Sequence, residues 1–97
     1  MLESSFQSRF LSWLRLQRHV YVEKSVASTT SGGSDAKACI GGRYVALEFK
    51  RDGEMLEPLQ AHKGGKVMAA GGLFWMVCPS NAEKIKEKIL AMNDVWP

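Results

Sequence analysis

The chain has 97 residues, 45% apolar and 24% charged, and a chain of this length is expected to form one small globular domain, since it buries only about 60–65% of its unfolded surface. Thirteen Lys and Arg against ten Asp and Glu leave a formal charge of +3, which permits a polyanionic partner without identifying one. The longest apolar run, Leu73 to Cys78, falls far short of the roughly 20 residues that cross a bilayer, and the polar start Met1-Leu2-Glu3-Ser4-Ser5 is no signal peptide, so a cytoplasmic protein without a membrane partner is expected.

Phe6, Phe10, Trp13, Leu14 and Gln17 recur at spacings of three and four and predict an amphipathic helix from about Ser4 to Arg18, with Ser4 or Ser5 as its cap. The β-branched run from Val20 to Val26 predicts a strand, and Ala27 to Ser34, which has almost nothing to bury, a loop. Asp35 to Ile40 and Arg43 to Lys50 flank Gly41-Gly42, a pair suited to the positive φ angles of a hairpin turn. Pro58 then opens a helix that runs to Gly71-Gly72. Within it Gly64-Gly65 costs about 1 kcal/mol per glycine against alanine, marking a helix that is weak or closely packed there. Leu73 to Cys78 predicts a strand buried on both faces, and Ser80 to Glu83 has the spacing of a capping box before a closing helix that aligns Ile85, Ile89 and Met92. The order α-β-β-β-α-β-α implies an α/β fold, a small mixed sheet flanked by helices, with a parallel crossover between Arg43 and Cys78.

Cys39 and Cys78 stand far apart and read as buried free thiols, while His19 and His62 are isolated. Zinc sites, a Ser-His-Asp triad and a Cys-His pair are thereby disfavoured, and any metal chemistry would have to use carboxylates.

If Gly41 and Gly42 are the two loop residues, Ile40 pairs with Arg43 and Asp35 falls opposite Glu48. Alternation puts Asp35, Lys37, Cys39, Tyr44, Ala46, Glu48 and Lys50 on one face and Ala36, Ala38, Ile40, Val45, Leu47 and Phe49 on the core side. Carboxylates about 5 Å apart repel by about 3 kcal/mol at an effective dielectric near 20. Two compensations are open: an ion-pair network with Lys37 and Lys50 on a solvated sheet face, or a divalent cation held between the carboxylates.

Asp35 after Gly33, Glu48-x-Lys50, then Gly53, Pro58 and Gln60, and Gly71-Gly72 before an apolar strand form an ordered set. It resembles the VRR-NUC branch of the PD-(D/E)XK nuclease superfamily over nearly the whole chain, although Ser34 stands where the superfamily pattern has proline. The resemblance implies a restriction-endonuclease-like αβββαβ core, here with a C-terminal helix, and an Mg²⁺- or Mn²⁺-dependent DNA endonuclease that leaves a 5′-phosphate. It makes Asp35, Glu48 and the backbone carbonyl of Phe49 the metal ligands, with Glu3 reaching the metal through water. Lys50 would activate the attacking water and stabilise phosphoryl charge, and Gln60 would orient Lys50 or a phosphate oxygen. Stand-alone members resemble Holliday-junction resolvases, so a homodimer acting on branched or four-way-junction DNA is expected. Alternatives are a non-catalytic nucleic-acid-binding or assembly module of the same fold, and a flap or nicking endonuclease within a larger complex. Arg9, Arg15, Lys63 and Lys66 are the candidates for a phosphate-contacting rim, and Trp96 for a subunit contact.

Overall fold

The computed structural model describes residues 2–25 and 35–96, with side chains from residue 5 onward. Helix α1 spans Leu2–Arg15, strands β1 Val20–Lys24, β2 Ala36–Ile40 and β3 Arg43–Phe49, helix α2 Pro58–Ala69, strand β4 Leu73–Val77 and helix α3 Ala82–Asp94. The expected loop between Ala27 and Ser34 lies outside the described residues. One sheet runs β1-β2-β3-β4, antiparallel except for the parallel pair β3 and β4 that α2 connects.

Helix α1 starts earlier and ends earlier than its periodicity suggests. Ser5 is not a cap but lies within the helix, its hydroxyl accepting from the Arg9 guanidinium one turn on. At the other end the Leu16 and Gln17 amides reach back only three residues, to Trp13 and Leu14, and this tightening closes the helix. His19 then takes a left-handed backbone, φ 57°, which turns the chain into β1.

The hairpin follows the arithmetic of its turn: Ile40 faces Arg43 and Ala36 faces Leu47, with Gly41 and Gly42 at φ 55° and 81°. The inward residues Ala36, Ala38, Ile40, Val45, Leu47 and Phe49 are buried with Phe10, Leu11 and Leu14 of α1 and Ile85 and Ile89 of α3. Trp13 and Trp75 pack against that core, and the Lys86 ammonium stands 5.0 Å from the Trp13 ring centre.

Helix α2 lies on the opposite, outer face, running against the direction of β3 and β4. Gln60 contacts Glu48; a Cβ on Gly64 would meet the Phe74 ring at 2.5 Å; and Val67 lies against Gly72, which also touches Tyr44. Four residues of helix rise about 6 Å and two residues of strand about 6.6 Å, so successive turns of α2 meet successive outward residues of the strands. Gly64 is therefore the close-packing glycine, while nothing lies within 4 Å of a Cβ on Gly65.

Three expectations are corrected. Strand β4 is an edge strand, so only Val77 of it is buried, and the strand covered on both faces is β3, from Val45 to Phe49. Cys39 is exposed, because it sits on the outer face of β2 beyond the reach of α2; Cys78 is buried. The capping box forms at Glu57 and Gln60 of α2, not at Ser80 and Glu83, because the Ser80 N–H that Glu83 would accept from donates instead to Asp52 Oδ1 and Asn81 holds the cap position.

Candidate active site

The end of the hairpin away from its turn gathers the acidic residues. Asp35 lies one residue before β2 and Glu48 one before the end of β3, and one further step of the Ala36–Leu47 register places them side by side on the outer face. Beyond the last ladder pair, Asp35 continues the pairing with its side chain: Oδ2 accepts from the Phe49 N–H at 2.8 Å, and its carbonyl accepts from Ser25 in β1's extension at 2.9 Å. Phe49 is itself clamped, its ring 6.2 Å from Phe6 and 5.6 Å from Phe10, centre to centre. In an extended strand a residue's N–H and C=O point to the same side, so the Phe49 carbonyl faces the Asp35 side too.

Glu48 is only 3% exposed. Its Oε2 accepts from Gln60 Nε2 at 2.9 Å, and its Oε1 is buried without a hydrogen-bond partner. Gln60 thus orients Glu48, whereas the sequence pointed it at Lys50 or phosphate. The reason is the Glu57 amide, which donates to Gln60 Oε1 at 2.9 Å and so turns the Nε2 end toward β3. Glu57 is a contributor that the sequence reading passed over; its signal was a Glu-Pro-x-Gln box at the start of α2. Lys50 follows β3, its N–H bonded to the Val77 carbonyl at 2.9 Å.

Burial above all, and then the neighbouring Asp35 carboxylate, push Glu48 up to about 8, with Glu57 adding to the rise and the Lys50 ammonium drawing it back. At neutral pH the pair then retains a proton unless a cation replaces it. A buried carboxylate oxygen without a partner, beside a second carboxylate, suits a hard divalent ion, which takes one or two carboxylates and keeps water in its other positions. Among the described residues no cluster of three or more Asp, Glu, His or Cys forms, so the side-chain donor set is oxygen from Asp35 and Glu48, with the Phe49 carbonyl on the same side. Soft thiolate or imidazole sites are not built here.

The remaining candidates are spread out. Arg9 and Arg15 belong to α1 on the inner side of the sheet, and Lys63 and Lys66 to α2 on the outer side, so they do not form one rim. Glu3 lies in the first turn of α1, and its side chain is outside those described. Trp96 packs over Gly42 at the hairpin turn, 45% exposed, at the end of the sheet away from the carboxylates.

Apart from the acidic pair at the open end of the hairpin, the chain is a four-stranded mixed sheet with α1 and α3 on one face and α2 on the other, an α/β fold. A solved structure described as a VRR_NUC domain protein shares it: TM-score 0.73 at 16% identity, covering 93% of this chain and 88% of that one. The fold is of the VRR-NUC type. No protein-family model matches the sequence, and no curated protein does. Among the described residues, no helix is long and apolar enough to cross a membrane.

Proposed function

We propose that the chain is a divalent-metal-dependent DNA endonuclease, acting as a homodimer on branched DNA. The observation that carries this reading is the unpartnered, buried Oε1 of Glu48 beside Asp35, with the Lys50 charge close enough to act on Glu48. Binding alone has no use for opposed carboxylates facing a polyanion. Asp35 and Glu48 are the residues to hold Mg²⁺ or Mn²⁺, which when bound supplies Lewis acidity to a phosphodiester oxygen and acidifies water. Phe49 holds Asp35 through its N–H, and Gln60 holds Glu48. Lys50 stabilises charge developing on the phosphoryl oxygens, a contribution worth most where water is excluded.

The experiment compares wild type, Asp35→Ala and Lys50→Ala on supercoiled plasmid and on a synthetic four-way junction, with Mg²⁺, Mn²⁺ or EDTA. Metal-dependent cutting lost in both variants is expected. Metal-independent cutting, or full activity in either variant, overturns the site. Paired symmetric incisions at the junction support the resolvase-like form; equal cutting of flaps and linear duplex indicates a flap or nicking nuclease, and junction binding with no cleavage a non-catalytic module.

A further inference from the structure

Helix α2 covers the outer face over β3 and β4, and among the described residues no element covers that face over β1 and β2. The strand register sorts its outward side chains into rows. Asp35 and Glu48 form the row at one end; Glu23, Lys37 and Ala46 form the next; Tyr21, Cys39 and Tyr44 form the third. Rows are two residues apart, so the tyrosine row lies about 13 Å from the acidic pair along the same face. Tyr21 is 66% exposed and Tyr44 44%, and the small Cys39 between them leaves a trough about two strand spacings, roughly 9.6 Å, across.

We propose that unpaired nucleotides of the substrate strand cross this open half of the sheet, stacking bases on Tyr21 and Tyr44 with the backbone passing Lys37. The proposal rests on the nuclease reading and adds to it the class of DNA that the site prefers: a strand with unstacked bases next to the scissile phosphate.

Continuity is the first support. A strand seated at Asp35 and Glu48 meets α2 on one side, through Gln60, and finds an open surface on the other. Charge is the second. Lys37 stands in the path and Lys66 of α2 lines the groove beside Tyr44, with Val67, Ala70 and Gly72 as its apolar floor. The carboxylate between the acidic pair and the tyrosine row, Glu23, is engaged by the Tyr21 hydroxyl, which donates to it at 2.9 Å and ties the phenol down along the strand. Aromatic rings interleaved with cations on an exposed sheet suit single strands, because an unpaired base offers its π-face and a duplex base pair does not. The contacts carry no hydrogen-bond code, so the preference is for strand state and not for sequence.

Binding is measured by fluorescence anisotropy in the Asp35→Ala background with EDTA, where cleavage plays no part, on a forked duplex with single-stranded arms and on a blunt duplex. Tyr21→Ala and Tyr44→Ala are each expected to weaken fork binding by about 5- to 150-fold, the range for loss of a stacked base, and blunt-duplex binding by less than twofold. Tyr44→Phe should bind the fork as wild type does, and Tyr21→Phe, which keeps the ring but frees Glu23, should lose less than Tyr21→Ala. A 5-iodouracil in the arm should photocrosslink to Tyr21 or Tyr44. Tyr21 lies on an edge strand and is largely exposed, so its variant reads out even if Tyr44→Ala loosens the fold. Equal losses on both DNAs, no loss, or a dimer-to-monomer shift by sedimentation that accounts for the loss would overturn the proposal, the last by showing that a second copy covers this face. If wild type fails to cut any DNA while the tyrosine effects appear, the nuclease reading fails and the binding track stands.

Discussion

Gln60 meets Glu48 with the donor end of its amide because the Glu57 N–H, which can only donate, holds the acceptor end. One backbone amide at a helix N-terminus thereby decides that Glu48 meets a donor and not a second acceptor. Gln60→Ala frees Glu48 to rotate without removing either carboxylate. Mn²⁺ affinity, followed by electron paramagnetic resonance, should fall about 10- to 100-fold, as when an outer partner of a metal ligand is removed. Unchanged affinity would show that Gln60 does not position the ligand.

Glu48 links stability to pH. Its folded value of about 8 stands above the ordinary 4.5, so the native state holds more protons than the unfolded chain between those values. Stability must therefore fall as pH rises through that window and level off above it. Glu48→Gln removes the titration while keeping an acceptor for Gln60. Relative to that variant, metal-free wild type should lose stability steadily between pH 5 and 8.5, read as a falling Tm, and Mg²⁺ should recover more of it at pH 8.5 than at pH 5. Parallel pH profiles for the two proteins would rule the linkage out.

The two adjacent glycines of α2 should respond with opposite signs. At Gly64 a Cβ falls 2.5 Å from the Phe74 ring, and Gly64→Ala should destabilise by about 1–3 kcal/mol as the helix is pushed off the sheet. At Gly65 a Cβ meets nothing within 4 Å, and Gly65→Ala should stabilise by about 0.5–1 kcal/mol through helix propensity. Urea titration of both variants checks the pair.

Gly42 carries two demands at once, a φ of 81° and the Trp96 ring against its face. Gly42→Ala should cost about 1–2 kcal/mol and shift tryptophan emission to the red as Trp96 is displaced. In a double-mutant cycle Trp96→Ala should recover the part due to the ring and leave the part due to the backbone.

The hairpin was legible because its side-chain period is two and a two-residue turn fixes every opposed pair, so Asp35 could be set beside Glu48 by counting. Lys37 and Cys39 followed onto the outer face by the same count. Strand β4 was less legible: an apolar run of six reads alike in a central strand and in an edge strand half-covered by a helix, and only the strand order distinguishes them. The role of Gln60 was hidden for a different reason. Its residue type allows either amide end to face the sheet, and the choice lies with the Glu57 N–H, whose one sequence signal is the capping-box spacing of Glu57 and Gln60.

The stepwise match of α2 to the strands makes the helix a gauge rod. Its position along β4 is set where Gly64 seats on Phe74, and Gln60 projects one turn ahead to Glu48. The alignment of the carboxylate is thus calibrated by an apolar contact that holds no charge and touches no ligand. A bulkier residue at position 64, or one residue added between 60 and 64, would be felt as misalignment at Glu48, so affinity for a divalent ion becomes a measure of how well this helix is seated.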